Sequence, residues 1–134
     1  MEYKSFEDLE VYKVVREFVK KIYKLVKELP DFEKYNLANQ MRRAAAPLTS
    51  CVAEGHGRFY YQENIQFLRQ SRGSLEELID DLNVCIDENY AELNRLNKLK
   101  KEGYDILKKL NGYIKYLCKC KEVTEEQQQE ELII

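Results

Sequence analysis

The stretch YQENIQFLRQSRGSLEELIDDLNVCI, residues 61–86, is the one whose reading decides the fold. Tyr61, Ile65, Leu68, Arg72, Leu75, Ile79, Leu82 and Ile86 recur at alternating steps of four and three, which sets them on one face of an α-helix. All but Arg72 are apolar or aromatic, so that face needs other elements to cover it. The rest of the chain offers three more segments with the same rhythm.

Upstream, Val11, Val15, Phe18, Ile22, Leu25 and Leu29 form one stripe, widened by Tyr12, Val19 and Val26. Ser5 and Asp8 have the spacing of a capping box, which satisfies amides left free at a helix start, and Pro30 lacks the amide that would continue the helix. Next come Leu37, Met41, Ala44, Leu48, Cys51 and Gly55, a stripe of smaller side chains suited to close approach. Pro47 lies inside it, removes the bond to the carbonyl of Arg43, and predicts a kink or a break. Gly55 and Gly57 supply permissive backbone where this helix ends. Downstream, Leu93, Leu96, Lys100, Gly103, Leu107, Leu110, Ile114 and Leu117 make a less regular stripe. Glycine disfavours helix by ~1 kcal/mol, so Gly103 and Gly112 predict close packing or local bending.

Four such segments with short connections predict an all-α protein, an antiparallel up-down-up-down four-helix bundle with left-handed packing. The expected helices are about 6–29, 33–55, 60–89 and 91–120. The remainder, KEVTEEQQQEELII at 121–134, is acidic and has no stripe before its last three residues, so it is expected to be mostly disordered.

A chain of 134 residues with 44% apolar content fits one domain with a real core, small enough that self-association would help it. No apolar run is long enough for a membrane span and no secretion leader is visible, which predicts a soluble, cytoplasmic protein with no membrane partner. Cys51, Cys85, Cys118 and Cys120 lack the spacing of a disulfide scaffold and read as reduced thiols, the first two in the core. The net charge of −2 conceals an uneven distribution. Residues 61–90 carry two basic and seven acidic side chains, residues 91–120 eight and three, and residues 121–134 one and five.

Chemistry concentrates in CVAEGHGR, residues 51–58, which holds the only histidine. Zinc needs three or four ligands, and no second cysteine or histidine cluster stands near Cys51 and His56, so no metal is expected. Cys51 sits on an apolar stripe where burial suppresses the thiolate, so no catalytic role and no cofactor are expected. Arg72, on an apolar stripe, requires a partner, since an unpaired buried charge costs several kcal/mol; Glu54 is the interhelical candidate and Glu76 the local one. Glu54, Gly55, Gly57, Arg72 and Gly73 are accordingly read as structural. Arg42 and Arg43 on the second helix, with Lys98, Lys100, Lys101, Lys108, Lys109, Lys115 and Lys119 on the fourth, are the candidates for RNA phosphates. Arg58, Phe59, Tyr60 and Tyr61 are the candidates for a protein interface.

FEDLEVYKVV at 6–15, the Tyr35–Ala45 segment with its Gln40, Arg42, Arg43, Ala44 and Ala45, VAEGHGR at 52–58 and FLRQSRGSLEEL at 67–78 together resemble the bacterial four-helix proteins encoded in 23S ribosomal RNA intervening sequences. The resemblance covers roughly residues 6 to 118. It implies a non-enzymatic bundle that assembles as a homopentamer. It also implies kinship with the accessory variability determinant of diversity-generating retroelements, which binds a reverse transcriptase and RNA. Where Tyr60 stands, that family commonly has a serine capping the third helix. The expected function is therefore an oligomeric adaptor for structured RNA and a partner protein such as a reverse transcriptase. The alternative is a purely protein-binding structural bundle.

Overall fold

The computed structural model describes residues 5–133, with side chains to residue 132. It contains four α-helices: α1, Glu10–Lys27; α2, Leu37–His56; α3, Tyr61–Asp87; and α4, Leu93–Ile133. Among the described residues there are no strands. Single 3-10 turns at Phe6–Asp8 and Asp31–Glu33 precede α1 and α2. The expected capping box is present, with the Ser5 amide donating to Asp8 Oδ2 and the Glu7 amide to Ser5 Oγ, both at 3.2 Å. It closes the 3-10 turn rather than α1, because Leu9 is extended and restarts the chain.

Around the bundle, α1 packs on α2 and α4, and α3 packs on α2 and α4. The stripes of α1 and α2 are buried at every position the spacing marks. Burying each large aliphatic side chain contributes about 1.5–3 kcal/mol, which makes this shared interior the main source of stability. In α4 the true stripe runs through Leu96, Leu99, Gly103, Ile106, Leu110, Ile114 and Leu117, while Leu93 is exposed. The sequence pattern placed Lys100 and Leu107 on this stripe, and they lie on its flank.

Two further expectations are corrected. Of the kink or break expected at Pro47, the break does not occur, since α2 runs through it uninterrupted; Arg43, whose carbonyl loses its partner, is exposed, so water can satisfy it. Helix α4 does not end near 120 but continues through most of the segment expected to be disordered. No glycine or proline follows Gly112, and the lysines, glutamates and glutamines there are good helix formers. Lys121 adds a hydrogen bond to Gln62 (2.9 Å) and an ion pair to Glu125 (3.8 Å). Ile134 lies outside the described residues.

The α2–α3 contact is the closest in the bundle to a backbone. A Cβ added at Gly55 would stand 2.7 Å from Asn64 Oδ1, 3.0 Å from Phe67 Cβ and 3.2 Å from the Asn64 carbonyl. Two turns along, Ser71, fully buried, donates its hydroxyl to the Leu48 carbonyl at 3.1 Å. At the opposite end, buried Glu33 accepts from Tyr90 Oη (2.8 Å) and Asn36 Nδ2 (3.2 Å), tying the α1–α2 connection to the α3–α4 turn. A Cβ added at Gly103 would stand 3.1 Å from Ile79 Cγ1, whereas one added at Gly73 or Gly112 would meet open space.

Replacing Gly55 by alanine is therefore expected to lower unfolding free energy by about 1–3 kcal/mol. Gly112→Ala and Gly73→Ala, which add helix propensity without a clash, should raise it by up to ~1 kcal/mol each. Urea midpoints at constant slope would show the opposite signs. A second prediction concerns Asp81, largely buried on α3, whose carboxyl is pushed up to about 6 by burial and then by Asp80 and Glu77. The native state keeps this proton where the unfolded chain releases it, so the contribution of Asp81 declines as pH rises from about 4 to about 6. Asp81→Asn should flatten that part of the stability profile and leave the protein more stable at pH 7 by on the order of 1 kcal/mol after solvent screening.

Candidate nucleic-acid and protein interfaces

The lysines of α4 divide by the face they occupy. Lys101, Lys108 and Lys115 are spaced by seven and Lys119 follows four later, so all four share one face, opposite the buried stripe, and all are exposed. Among the described residues none of the four is in an ion pair; they form a cationic row, with exposed Asp105 between Lys101 and Lys108 on the same face. Lys109 turns toward α1 and pairs with Glu10 at 3.0 Å. Lys98 lies in a groove of about 350 Å³ between α1 and α4, beside Lys21, Lys24, Arg95 and the carboxylates of Glu92 and Glu102. Lys100 is half-buried on the flank of the buried stripe.

The arginines of α2 do not join that line, because α2 and α4 are not neighbours in the bundle. Arg42 donates to the Lys34 carbonyl at 3.4 Å. Arg43 faces a groove of about 460 Å³ that also holds Gln40, Glu77, Asp80 and Asp81. Three carboxylates on one wall make this groove a poor place for a phosphate.

A second cationic surface lies on α1. Arg16, Lys20, Lys24 and Lys27, with Tyr12, Val19, Tyr23 and Thr49, line a groove of about 460 Å³ between α1 and α2, with no carboxylate on its walls. The tyrosines and Val19 are half-buried and form its floor, while the four cations stand exposed along its rim. Sequence reasoning missed this site. The signal was there in the 4, 4, 3 spacing of the cations, but Tyr12 and Val19 read only as a widening of the core stripe.

At the α2–α3 turn, CVAEGHGR ends one helix and leads into the next. Arg58 is drawn back into the fold: Nη2 meets Glu54 Oε1 at 3.0 Å, Nη1 lies 3.9 Å from Glu63 Oε2, and the guanidinium stacks over Phe67 with 5.0 Å to the ring centre. Phe59, Tyr60 and Tyr61 remain exposed, Phe59 at 90%. Tyr60 caps α3 in an extended conformation and its side chain makes no capping hydrogen bond. Tyr116 of α4 is also exposed, as is Val123 about two turns further on, which gives this end of the bundle an apolar rim.

The expected pairing of Glu54 with Arg72 is corrected. Arg72 Nη1 donates instead to Asn111 Oδ1 of α4 at 2.9 Å. Gly55 sits level with Asn64, so Arg72 lies eight residues, about 12 Å, beyond the reach of Glu54. Ser71, not Arg72, holds the centre of the α3 stripe, and Arg72 is half-buried on the side facing α4. The thiols of Cys51 and Cys85 are buried and pushed up by that burial, Cys85 to about 11. Among the described residues no three histidine, cysteine or carboxylate groups stand together to hold a metal, and no helix is long and apolar enough to cross a membrane.

Comparison with known proteins agrees with this arrangement of helices. A crystal structure of a protein of unknown function from the S23 ribosomal protein family of Bacteroides thetaiotaomicron superposes with a TM-score of 0.73 over 78% of this chain and 98% of its own, at 21% identity. At that identity the likeness is one of fold. No curated protein matches the chain in sequence. Residues 7–112 match the family model of the 23S rRNA-intervening sequence protein, and the chain belongs to that family.

Proposed function

We propose that this chain is a non-enzymatic adaptor that binds structured RNA through phosphate contacts and holds a partner protein, for example a reverse transcriptase, on a separate surface. The observation that carries the reading is the row of Lys101, Lys108, Lys115 and Lys119, four exposed charges on one face of α4 with no ion-pair partner among the described residues. Such a line neutralises successive phosphates and releases counterions, a sequence-independent contribution suited to a folded RNA. The apolar rim of Phe59, Tyr60, Tyr61 and Tyr116 supports the protein-binding part, since exposed aromatics at one site are typical of interface cores.

We further propose an up-down-up-down bundle with left-handed packing, cytoplasmic, that assembles as a homopentamer. Contacts between neighbouring helices run in opposite directions: Glu10 pairs with Lys109, Lys21 with Glu102 and Glu28 with Arg95 between α1 and α4. A cyclic assembly would repeat each lysine line around an axis, multiplying weak phosphate contacts.

Reversing Lys108 and Lys115 to glutamate should weaken retention of a structured RNA in filter binding by more than about tenfold and reduce its dependence on salt. Unchanged affinity and salt slope, alongside capture of a protein partner, would instead favour a bundle with no role on nucleic acid. Light scattering tests the assembly, since five chains of 16.0 kDa give about 80 kDa.

A further inference from the structure

The cationic groove between α1 and α2 and the acidic end of α4 match each other in charge and length. Arg16 to Lys27 spans eleven residues of helix, about 16 Å, and carries four positive charges. Glu122 to Glu131 spans nine, about 14 Å, and carries Glu122, Glu125, Glu126, Glu130 and Glu131. We propose that the last turns of α4 from a second copy of this chain lie in the α1–α2 groove, each copy giving its acidic helix to a neighbour and receiving one in turn.

The two halves of this contact are unfinished in the single chain. In the groove, Lys20 pairs with Glu17 of its own helix at 3.0 Å, while Arg16, Lys24 and Lys27 make no ion pair among the described residues. Beyond Thr124, α4 is exposed on all sides through Leu132. A helix that is polar all round and touches nothing is marginal in water, so a surface that receives it accounts for its persistence as helix. The tyrosines on the groove floor add apolar contact that exposed ion pairs alone do not supply.

The occupant is a second copy because the chain's own geometry forbids self-docking. Following α4 toward its C-terminus leads from Glu28, past Lys21, to Glu10, and then beyond the start of α1. The groove runs the other way, from Tyr12 toward Lys27. Reaching it within one chain would require α4 to reverse, and no glycine or proline after Gly112 permits that. The contact is head-to-tail, so it closes a ring when the rotation between copies allows, which is how it bears on the assembly proposed above.

The test uses the full chain in equal mixture of natural and nitrogen-15 protein, treated with a zero-length carbodiimide that joins carboxylates to amines. Mixed-isotope peptides linking Lys20, Lys24 or Lys27 to a glutamate between 122 and 131 are the expected product. The triple change Lys20→Glu, Lys24→Glu and Lys27→Glu should lower the mass in solution by weakening association about tenfold, and adding Glu125→Lys, Glu126→Lys and Glu130→Lys should restore it. An oligomer without those crosslinks, whose mass is indifferent to the triple change, overturns the inference and leaves self-assembly standing. A monomer at every concentration overturns both. Groove lysines shielded from acetylation by a structured RNA but never crosslinked to the tail would overturn it in favour of a phosphate backbone.

Discussion

The near-contact of the α2 and α3 backbones at Gly55 and Asn64 is the constraint on which the rest of this molecule hangs. With no side chain at 55, α3 can come within van der Waals distance of its neighbour, and the buried Asn64 oxygen, which has no hydrogen-bond partner among the described residues, fills the space a methyl group would take. The Ser71 hydroxyl then fixes the sliding of one helix against the other by reaching the Leu48 carbonyl. Once those two helices are in register, α1 and α4 have only the remaining sides to occupy. The small residues of α2, Ala38, Ala44 and Ala45, continue the close approach along its length.

That packing also distributes charge. The acids of α3 beside Arg43 face outward on one side of α2, and the cations of α1 line its other side. Four lysines of α4, Lys101, Lys108, Lys115 and Lys119, stand on the face opposite its buried stripe. A nearly neutral chain thus becomes an object with distinct cationic and anionic surfaces, and its interactions follow from those surfaces and not from its net charge.

The periodicity of the sequence contained most of the fold. The central stripes of α1 and α2 were legible, because they are unbroken and their ends are marked by Pro30 and by Gly55 with Gly57, while buried Ala38, Ala45 and Val52 beside the α2 stripe were not. Helix α4 was legible only in outline, since Lys100 and Leu107 share the spacing of core positions and a flank differs from a face by less than about a quarter of a turn. Its length was not legible, because a polar helix has no stripe. Among the candidate residues, the exposed aromatics of the α2–α3 turn and four of the lysines stand where the pattern placed them. Arg43 and Arg72 do not, because their surroundings come from α3 and α4, residues distant in sequence whose depth along each helix no local spacing encodes. The α1 groove escaped because its floor residues, Tyr12 and Val19, share the spacing of the core stripe, and only the packing of α2 at Thr49 makes the face beside them a groove.

The bond between Glu33 and Tyr90 makes the two ends of the bundle mechanically unequal. It joins both inter-helix connections at one end through a buried carboxylate, with Phe32 edge-on to the same tyrosine ring. At the other end only the α2–α3 turn crosses between helices, and the start of α1 and the long exit of α4 are held by side-chain contacts alone. A load applied at the aromatic rim would therefore spread the helix pairs like the free ends of a clothes-peg, with the Glu33–Tyr90 end as its spring. Compliance is placed at the end that carries the exposed aromatics, and stiffness at the end where the two connections are tied together.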